Sequence, residues 1–452
     1  MLTIFAFLMT LSVLIAIHEY GHFQVARWCG VKVLRFSIGF GNPLFRKSFG
    51  KDNTEFVIAA LPFGGYVKML DEREGEIAAS EDLARAFNRQ SVWKRIAIVS
   101  AGPAANLLLA IFLYWILFMH GVMGIKPLLG DVASDTPAAQ SLLQSGDLIQ
   151  KVAGTATPTW QEVRWVMLQK SLETDAVEIE VLSKSGGQSK HSLSLRSIGS
   201  DDYENDFLDK LGLVPYQPET PAIIGDLLAG SAAERSGLRS GDILISASGK
   251  SINSWEQFVA IIRNHPQKPV QLLVRRGSAS LALEIVPETI IEAGKRIGKI
   301  GAMNKVDDAV FERFISRVSY GPLDALVKAS DKTWETSIFS LKMLGNMITG
   351  DVSWKGISGP VTIASYAGQS AHIGWKAFLG FLALISISLG VLNLLPVPVL
   401  DGGHLMYYMV EIFKGSPVSE AAMELGQRVG LFLLGLLMIV AFYNDINRIF
   451  TG

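Results

Sequence analysis

LSVLIAIHEYGHFQVARW, residues 11–28, puts two histidines and a carboxylate at the end of what is otherwise a membrane helix. From Leu2 to Ile17 no residue is charged, and the run is apolar enough for a span. His18, Glu19 and His22 then arrive within five residues. On a helix, positions i and i+4 lie on one face, about 40° apart, so the two imidazoles point the same way. Ionisable groups at membrane depth are costly, which makes them candidates for function. Two imidazoles so placed can ligate one metal ion. Glu19, next to the first, can act as general base on water that the ion activates. The structural alternative is a polar cluster satisfied by neighbouring helices.

Working outward, the composition supports a membrane setting. Of 452 residues 49% are hydrophobic and only 18% charged, and the net charge is −1. A charged share of roughly 25% is usual for soluble domains. Mean hydropathy is +0.31. Nothing indicates bulk attraction to nucleic acid. Cys29, the single cysteine, permits neither an internal disulfide nor a cysteine-rich zinc site.

A span needs about 20 mostly apolar residues. Ile96–Met119 and Ala377–Leu400 meet this without a charge, and the second run meets Asp401 directly. Leu2–Ile17 reaches spanning length with its following turn. Val429–Tyr443 is short between Arg428 and Asp445, and flanking side chains must snorkel to complete it. No Lys or Arg precedes Arg27, so the first segment lacks the basic start of a cleaved signal peptide and reads as a retained span. Basic residues sit at both ends of the loop after it: Arg27, Lys32 and Arg35, then Arg89, Lys94 and Arg95. The positive-inside rule makes residues 29–95 cytosolic and both termini extracytoplasmic. Spans one and three then run in the same direction, and His18 and Asp401 both fall toward the cytosolic ends of their spans.

Residues 130–290 contain a repeat. PAAQSLLQSGDLIQKVAGTATPTW ends at Trp160 and SAAERSGLRSGDILISASGKSINSW at Trp255. In each copy a Gly-Asp pair (Gly146-Asp147, Gly241-Asp242) precedes a second glycine by the same interval (Gly154, Gly249). A helix-like stretch and strand-like runs follow. Two copies about 95 residues apart suggest paired domains rather than a solenoid. The pattern resembles PDZ domains, whose resemblance implies capture of peptide C-termini by strand addition. The expected domains are 125–215 and 216–304, followed by an amphipathic helical linker over 305–375 with a break at Gly321-Pro322.

Two histidines leave a catalytic zinc short of its usual third protein ligand. NLLPVPVLDGGH (residues 393–404) offers Asp401, after Pro396 and Pro398 break the helix. A broken helix at that depth must be buried in protein or line a wet cavity. Asp401 also fits a helix N-cap followed by a Gly402-Gly403 turn. His404 is a further possible ligand.

HExxH on the first span together with N-x-x-P-x-P-x-L-D-G on a later one resembles the site-2 protease family of intramembrane zinc metalloproteases. The likeness covers nearly the whole chain and is nearest to bacterial members with two PDZ domains between spans two and three. It implies that His18, His22 and Asp401 hold Zn2+, that Glu19 is the catalytic base, and that Asn393 contacts substrate. RFSIGFGNPLF and EFVIAALPFGGYVKM read as β-hairpins. In the family this loop dips into the membrane and pairs with an unwound substrate, which makes Gly39, Phe40 and Gly41 candidate substrate-binding residues. Gly39 and Gly41 would permit close backbone approach. SAGPAANLL (residues 100–108) supplies small residues for helix packing, with Asn106 as interhelical glue.

The expected protein is therefore a multi-span α-helical membrane protein (four spans) with two α+β PDZ-like domains inserted between spans two and three. Its expected activity is zinc-dependent hydrolysis of peptide bonds inside membrane segments. The resemblance implies pre-trimmed single-span substrates of anti-sigma-factor type, or remnant signal peptides, and a place in the bacterial inner membrane. Two other readings belong to different classes: a PDZ-based membrane adaptor with a structural metal, and a transporter built on the intramembrane cluster. The second calls for polar residues spread over several spans, of which spans two and four show few.

Overall fold

The computed structural model describes residues 2–72, 83–199, 202, 207–216, 221–292, 295–305 and 312–451. Parts of the expected cytosolic loop (73–82) and linker (306–311) lie outside the described residues. The chain divides into two units, one mainly of Met1–Val122 and Arg317–Thr451, the other mainly of Met123–Ile198 and Asp206–Ser316.

The first unit comprises α1 (Leu2–Trp28), β1 (Val33–Phe49), β2 (Thr54–Met69), α2 (Val92–Met119), α3 (Pro322–Thr349), α4 (Pro360–Ile373), α5 (Trp375–Asn393), α6 (Asp401–Lys414) and α7 (Glu420–Thr451). Among the described residues α1, α2, α5 and α7 are long and apolar enough to cross a membrane. Leu14 of α1, Ala110 and Leu113 of α2, and Leu382, Ala383 and Ile387 of α5 form a shared core. Small residues let these helices approach: a Cβ at Gly21 would run into the Ala101 carbonyl and the Ala105 side chain of α2. On α7, Leu431, Phe432 and Ile439 are exposed in the protein alone, as a lipid-facing surface requires.

The helix break expected at Pro396 and Pro398 is present, and two other boundaries differ from expectation. The third apolar run is helical only to Asn393, because the segment that follows carries Pro396 and Pro398, which cannot donate backbone hydrogen bonds. The fourth apolar run is part of a longer helix, which extends back through Glu420, Glu424 and Arg428, charged residues that end an apolar stretch but not a helix. Gly321-Pro322 starts a helix instead of breaking one. Gly321 is the N-cap and Pro322 the first helical residue, where its missing N–H loses nothing. Gly359-Pro360 begins α4 in the same way. There the buried Asp445 of α7 accepts from the Gly359 N–H at 2.9 Å and the Val361 N–H at 2.8 Å, so one helix caps the open end of another.

β1 and β2 make one folded sheet rather than separate hairpins. Residues 33–38 pair on one side with 65–69, from Val33 opposite Met69 to Ile38 opposite Gly65. On the other side Arg35 faces Glu55 and Ile38 faces Ile58, and 54–59 then pairs with 43–49. The fold-back needs a bend near residue 40. Gly39 supplies it at φ 93°, with the Ala59 and Leu61 carbonyls filling the space of a Cβ. Val33, Val67 and Met69 pack with Phe23 and Ala26 of α1 and Ile98 of α2, so the sheet is docked on the two helices that follow and precede it.

The second unit contains two copies of one element order, each with its own core. A four-residue helix (Pro137–Gln140, Ala232–Arg235) leads to a two-stranded turn (148–156, 243–251), a longer helix (Trp160–Ser171, Trp255–Arg263) and a strand pair (176–194, 270–285). The repeated residues have matching duties. Asp147 accepts from the Gln144 N–H and Asp242 from the Arg239 N–H, both at 2.9 Å. Ala153-Gly154 and Ser248-Gly249 all have positive φ, as two-residue hairpin turns demand. Thr159 and Ser254 cap the helices that begin at Trp160 and Trp255. In the second copy Arg276 adds two hydrogen bonds of 2.7 Å to the buried Asp242, holding its carboxyl below the ordinary value of 3.8.

Candidate metal centre and active site

The helical spacing of α1 sets His18 and His22 on one face, with ring centroids 4.8 Å apart. The broken segment after α5 returns Asp401 to them as the first residue of α6. Leu400, not Asp401, occupies the N-cap position. Asp401 Oδ2 stands 3.2 Å from His18 Nε2 and 3.4 Å from His22 Nε2, and the two Nε2 atoms are 3.2 Å apart. Ligand atoms about 2.0–2.1 Å from a tetrahedral zinc stand roughly 3.3–3.4 Å from one another, so the triangle has the size such an ion requires. Asp401 Oδ2 is also buried and accepts no hydrogen bond among the described residues. A cation removes that deficit. These three residues are the one group among those described whose His, Cys, Asp or Glu side chains converge in this way.

Each ligand is held by named contacts. His22 is packed against Gly102 of α2, where a Cβ would collide with its ring. Its Nδ1–H donates to the Ile98 carbonyl at 2.9 Å. A carbonyl can only accept, so the bond fixes the tautomer and leaves the Nε2 lone pair facing inward. His18 Nδ1 lies 3.2 Å from the Asn106 side-chain amide, also on α2. Asp401 depends on close packing of the loop before it. Cβ atoms at Gly402 and Gly403 would strike the carbonyls of Leu394, Leu395 and Val397, and one at Gly430 of α7 would strike that of Pro398. Val399 carries a φ of 111°, an unusual value for a β-branched residue. Arg95 of α2 then ties α6 down, through Glu411 at 2.5 Å and the Tyr408 ring at 4.8 Å.

Glu19 is half-buried beside the ligand face. The β-sheet reaches it at Gly65, where a Cβ would come within 2.8 Å of Glu19 Cγ. Phe40, 45% exposed, stacks on Tyr66 at 6.2 Å. Gly39 and Gly41 stand in the bend beside it, both at positive φ. On the sheet, the guanidiniums of Arg46 and Arg35 hold the Glu55 carboxyl below its ordinary range. Asn393, half-buried, is the last residue of α5. His404 lies on α6, with its ring 6.3 Å from that of Tyr407 and outside the converging group.

Sequence reasoning missed the Ile98 carbonyl, Gly65 and the contact of Asn106 with His18. The first two carry no side-chain signal. Asn106 had one, a lone amide in an apolar span, but its partner is 88 residues away.

A helix-borne His-Glu-x-x-His completed by a carboxylate, in a helical bundle apolar enough for a bilayer, defines a membrane-embedded metallopeptidase. The model of peptidase family M50 matches residues 6–437, and the chain belongs to that family. It is 42% identical over 445 residues to the regulator of sigma-E protease RseP of Salmonella typhimurium, with 98% of each chain covered. A putative zinc metalloprotease of Vibrio cholerae is 40% identical over 447 residues, again covering 98% of each. Among solved structures, the PDZ domain of an SdrC-like protein from Listeria monocytogenes is 17% identical, covering 22% of this chain and 97% of that one, with a TM-score of 0.17. The chain is thus a multi-pass membrane metalloprotease, and the adaptor and transporter readings lapse.

Proposed function

We propose that the protein cuts peptide bonds within the membrane segments of single-span proteins, using a zinc ion held by His18, His22 and Asp401. The observation that carries this reading is the convergence of three ligand atoms at tetrahedral spacing, with Glu19 at their side. Zinc, when bound, supplies a Lewis acid and lowers the pKa of water. Glu19 takes the proton of the attacking water and returns one to the leaving amine nitrogen. A helical substrate hides its carbonyls in its own hydrogen bonds, so it must unwind. Segment 65–69 is an edge of the sheet: among the described residues it pairs only with 33–38, and Gly65 lies against Glu19. A strand added there is held beside the base. Gly39, Phe40 and Gly41 form the nearby bend and Asn393 closes α5, and these are the proposed substrate contacts.

The substrates are proposed to be anti-sigma-factor-type proteins already shortened by another protease, together with remnant signal peptides, in the inner membrane of a bacterium. The names of the relatives support the first. The proposed layout has four spans, with residues 29–95 cytosolic and both termini extracytoplasmic. PDZ-like domains are proposed at 125–215 and 216–304, supported by the repeated element order and the two separate cores. They would take peptide C-termini and screen substrates by size.

The test is Glu19→Gln in purified full-length protein. Fold and zinc content should match the parent, and cleavage of a model span should cease. Continued cleavage would remove Glu19 from the mechanism.

A further inference from the structure

Two histidines face the same carboxylate, yet their outer nitrogens meet different partners. His22 Nδ1 meets a backbone carbonyl, which accepts only. His18 Nδ1 meets a side-chain amide, which can donate from one end and accept at the other. Asn106 is 1% exposed, and Ser386 of α5 donates to its backbone carbonyl at 2.7 Å, so the residue is fixed between spans. In the orientation present, Asn106 Nδ2 faces His18 Nδ1 at 3.2 Å while Oδ1 is buried with no partner among the described residues. That orientation makes Nδ1 the acceptor, so the His18 proton sits on Nε2, inside the triangle that the ion would occupy. A metal ligand needs the reverse. The Nε2 lone pair must be free and Nδ1 must carry the hydrogen. Rotating the amide by half a turn exchanges its two ends, places Oδ1 on Nδ1–H and gives the orphaned oxygen its donor.

We propose that Asn106 is a positioning residue for the metal centre: its side-chain oxygen accepts from His18 Nδ1–H and selects the tautomer that ligates. The inference rests on the metal reading of His18, His22 and Asp401. It goes beyond that reading by assigning the amide a chemical duty in place of a packing one. Because the amide also fits the other tautomer, His18 can keep its proton on Nε2 before metal arrives and turn ligand afterwards. His22, held by a carbonyl, has no such choice.

The experiment measures zinc affinity of the full-length protein in detergent, by competition with a chelator, with helix content followed by circular dichroism. Asn106→Leu keeps the branching at Cγ and removes the acceptor, and should bind zinc about 10- to 100-fold more weakly, the usual scale for an outer partner of a ligating histidine. Asn106→Asp, whose carboxylate can only accept, should retain parental affinity or exceed it at a pH where the carboxyl is ionised. Ser386→Ala removes the hydrogen bond to the Asn106 backbone but leaves the amide in place, and should weaken zinc binding far less than Asn106→Leu. Parental affinity in Asn106→Leu overturns the proposal, as does equal weakening in Asn106→Asp or in Ser386→Ala. If the parent protein itself retains no zinc, the metal reading falls and this inference with it.

Discussion

Gly65 lies against Glu19: a methyl group on the glycine would come within 2.8 Å of the carboxylate's Cγ, and equally close to the side chain of Ile15 and the carbonyl of Ser37. The sheet therefore meets the helix at the residue proposed as the base, and it can do so only because position 65 has no side chain. Gly65→Ala should fold and bind zinc like the parent, since this glycine has no left-handed backbone requirement. It should displace Glu19 or the strand. A shift near 1 Å at a reacting group can lower turnover about 100-fold. Turnover of a model membrane segment, set beside zinc stoichiometry, checks this; unchanged turnover would mean the strand and the base are independent.

Asp401→Ala should reduce bound zinc, measured by elemental analysis of purified protein. The two imidazoles alone leave the ion with too few protein ligands. Parental stoichiometry would exclude Asp401 from the centre. Gly402→Ala should give a similar loss from outside the ligand set, because the added methyl collides with the Leu394 and Leu395 carbonyls that lock the loop.

Arg95 reaches α6 through both Glu411 and the Tyr408 ring, with side chains only 13% and 16% exposed in the ion pair. Arg95→Met should destabilise the protein by about 2–3 kcal/mol, since it strands a largely buried carboxylate. Arg95→Lys should recover only part of this, lacking the planar fork. Thermal unfolding in detergent is the measurement, and a melting temperature within error of the parent for Arg95→Met would deny the pair a structural part.

Asp242 carries an acid dependence of known sign. Its carboxyl is held below the ordinary 3.8, first by Arg276. A depressed carboxylate contributes stability that is fully present above the unfolded value, about pH 4, and is lost as pH falls through the folded value. Hydrogen exchange of residues 221–305 in the intact protein should show protection persisting at neutral pH and declining below pH 4. Asp242→Asn should lower protection at pH 7 and flatten the acid decline. An identical acid profile in both would refute the assignment.

What could be seen in the sequence depended on distance along the chain. His18 and His22 share a face by arithmetic alone, and the Gly-Asp repeat announced two similar folds because its turns are local and each turn has its own residue chemistry. Glycine and proline were harder. Gly321-Pro322 has the same letters as a helix break and a helix start, and the side on which a helix lies is settled only by packing. The fold-back of residues 33–69 was illegible for a related reason. Alternation reveals strands but not which strand lies beside which, and here Arg35 has neighbours on both sides. At the candidate metal centre the side chains that converge, His18, His22 and Asp401, could be named in advance. Their supports could not, because Ile98 contributes a carbonyl and Gly65 and Gly102 contribute absence.

The unequal footing of the two histidines bears on how such a centre tolerates mutation. The partner of His22 is main chain, so no single-codon change at position 98 deletes it, and drift there alters only shape. The partner of His18 is a side chain, lost by any substitution at that codon that removes its acceptor oxygen. One half of the ligand pair is thereby insured by the backbone, and inherited variation in metal retention should concentrate on the other.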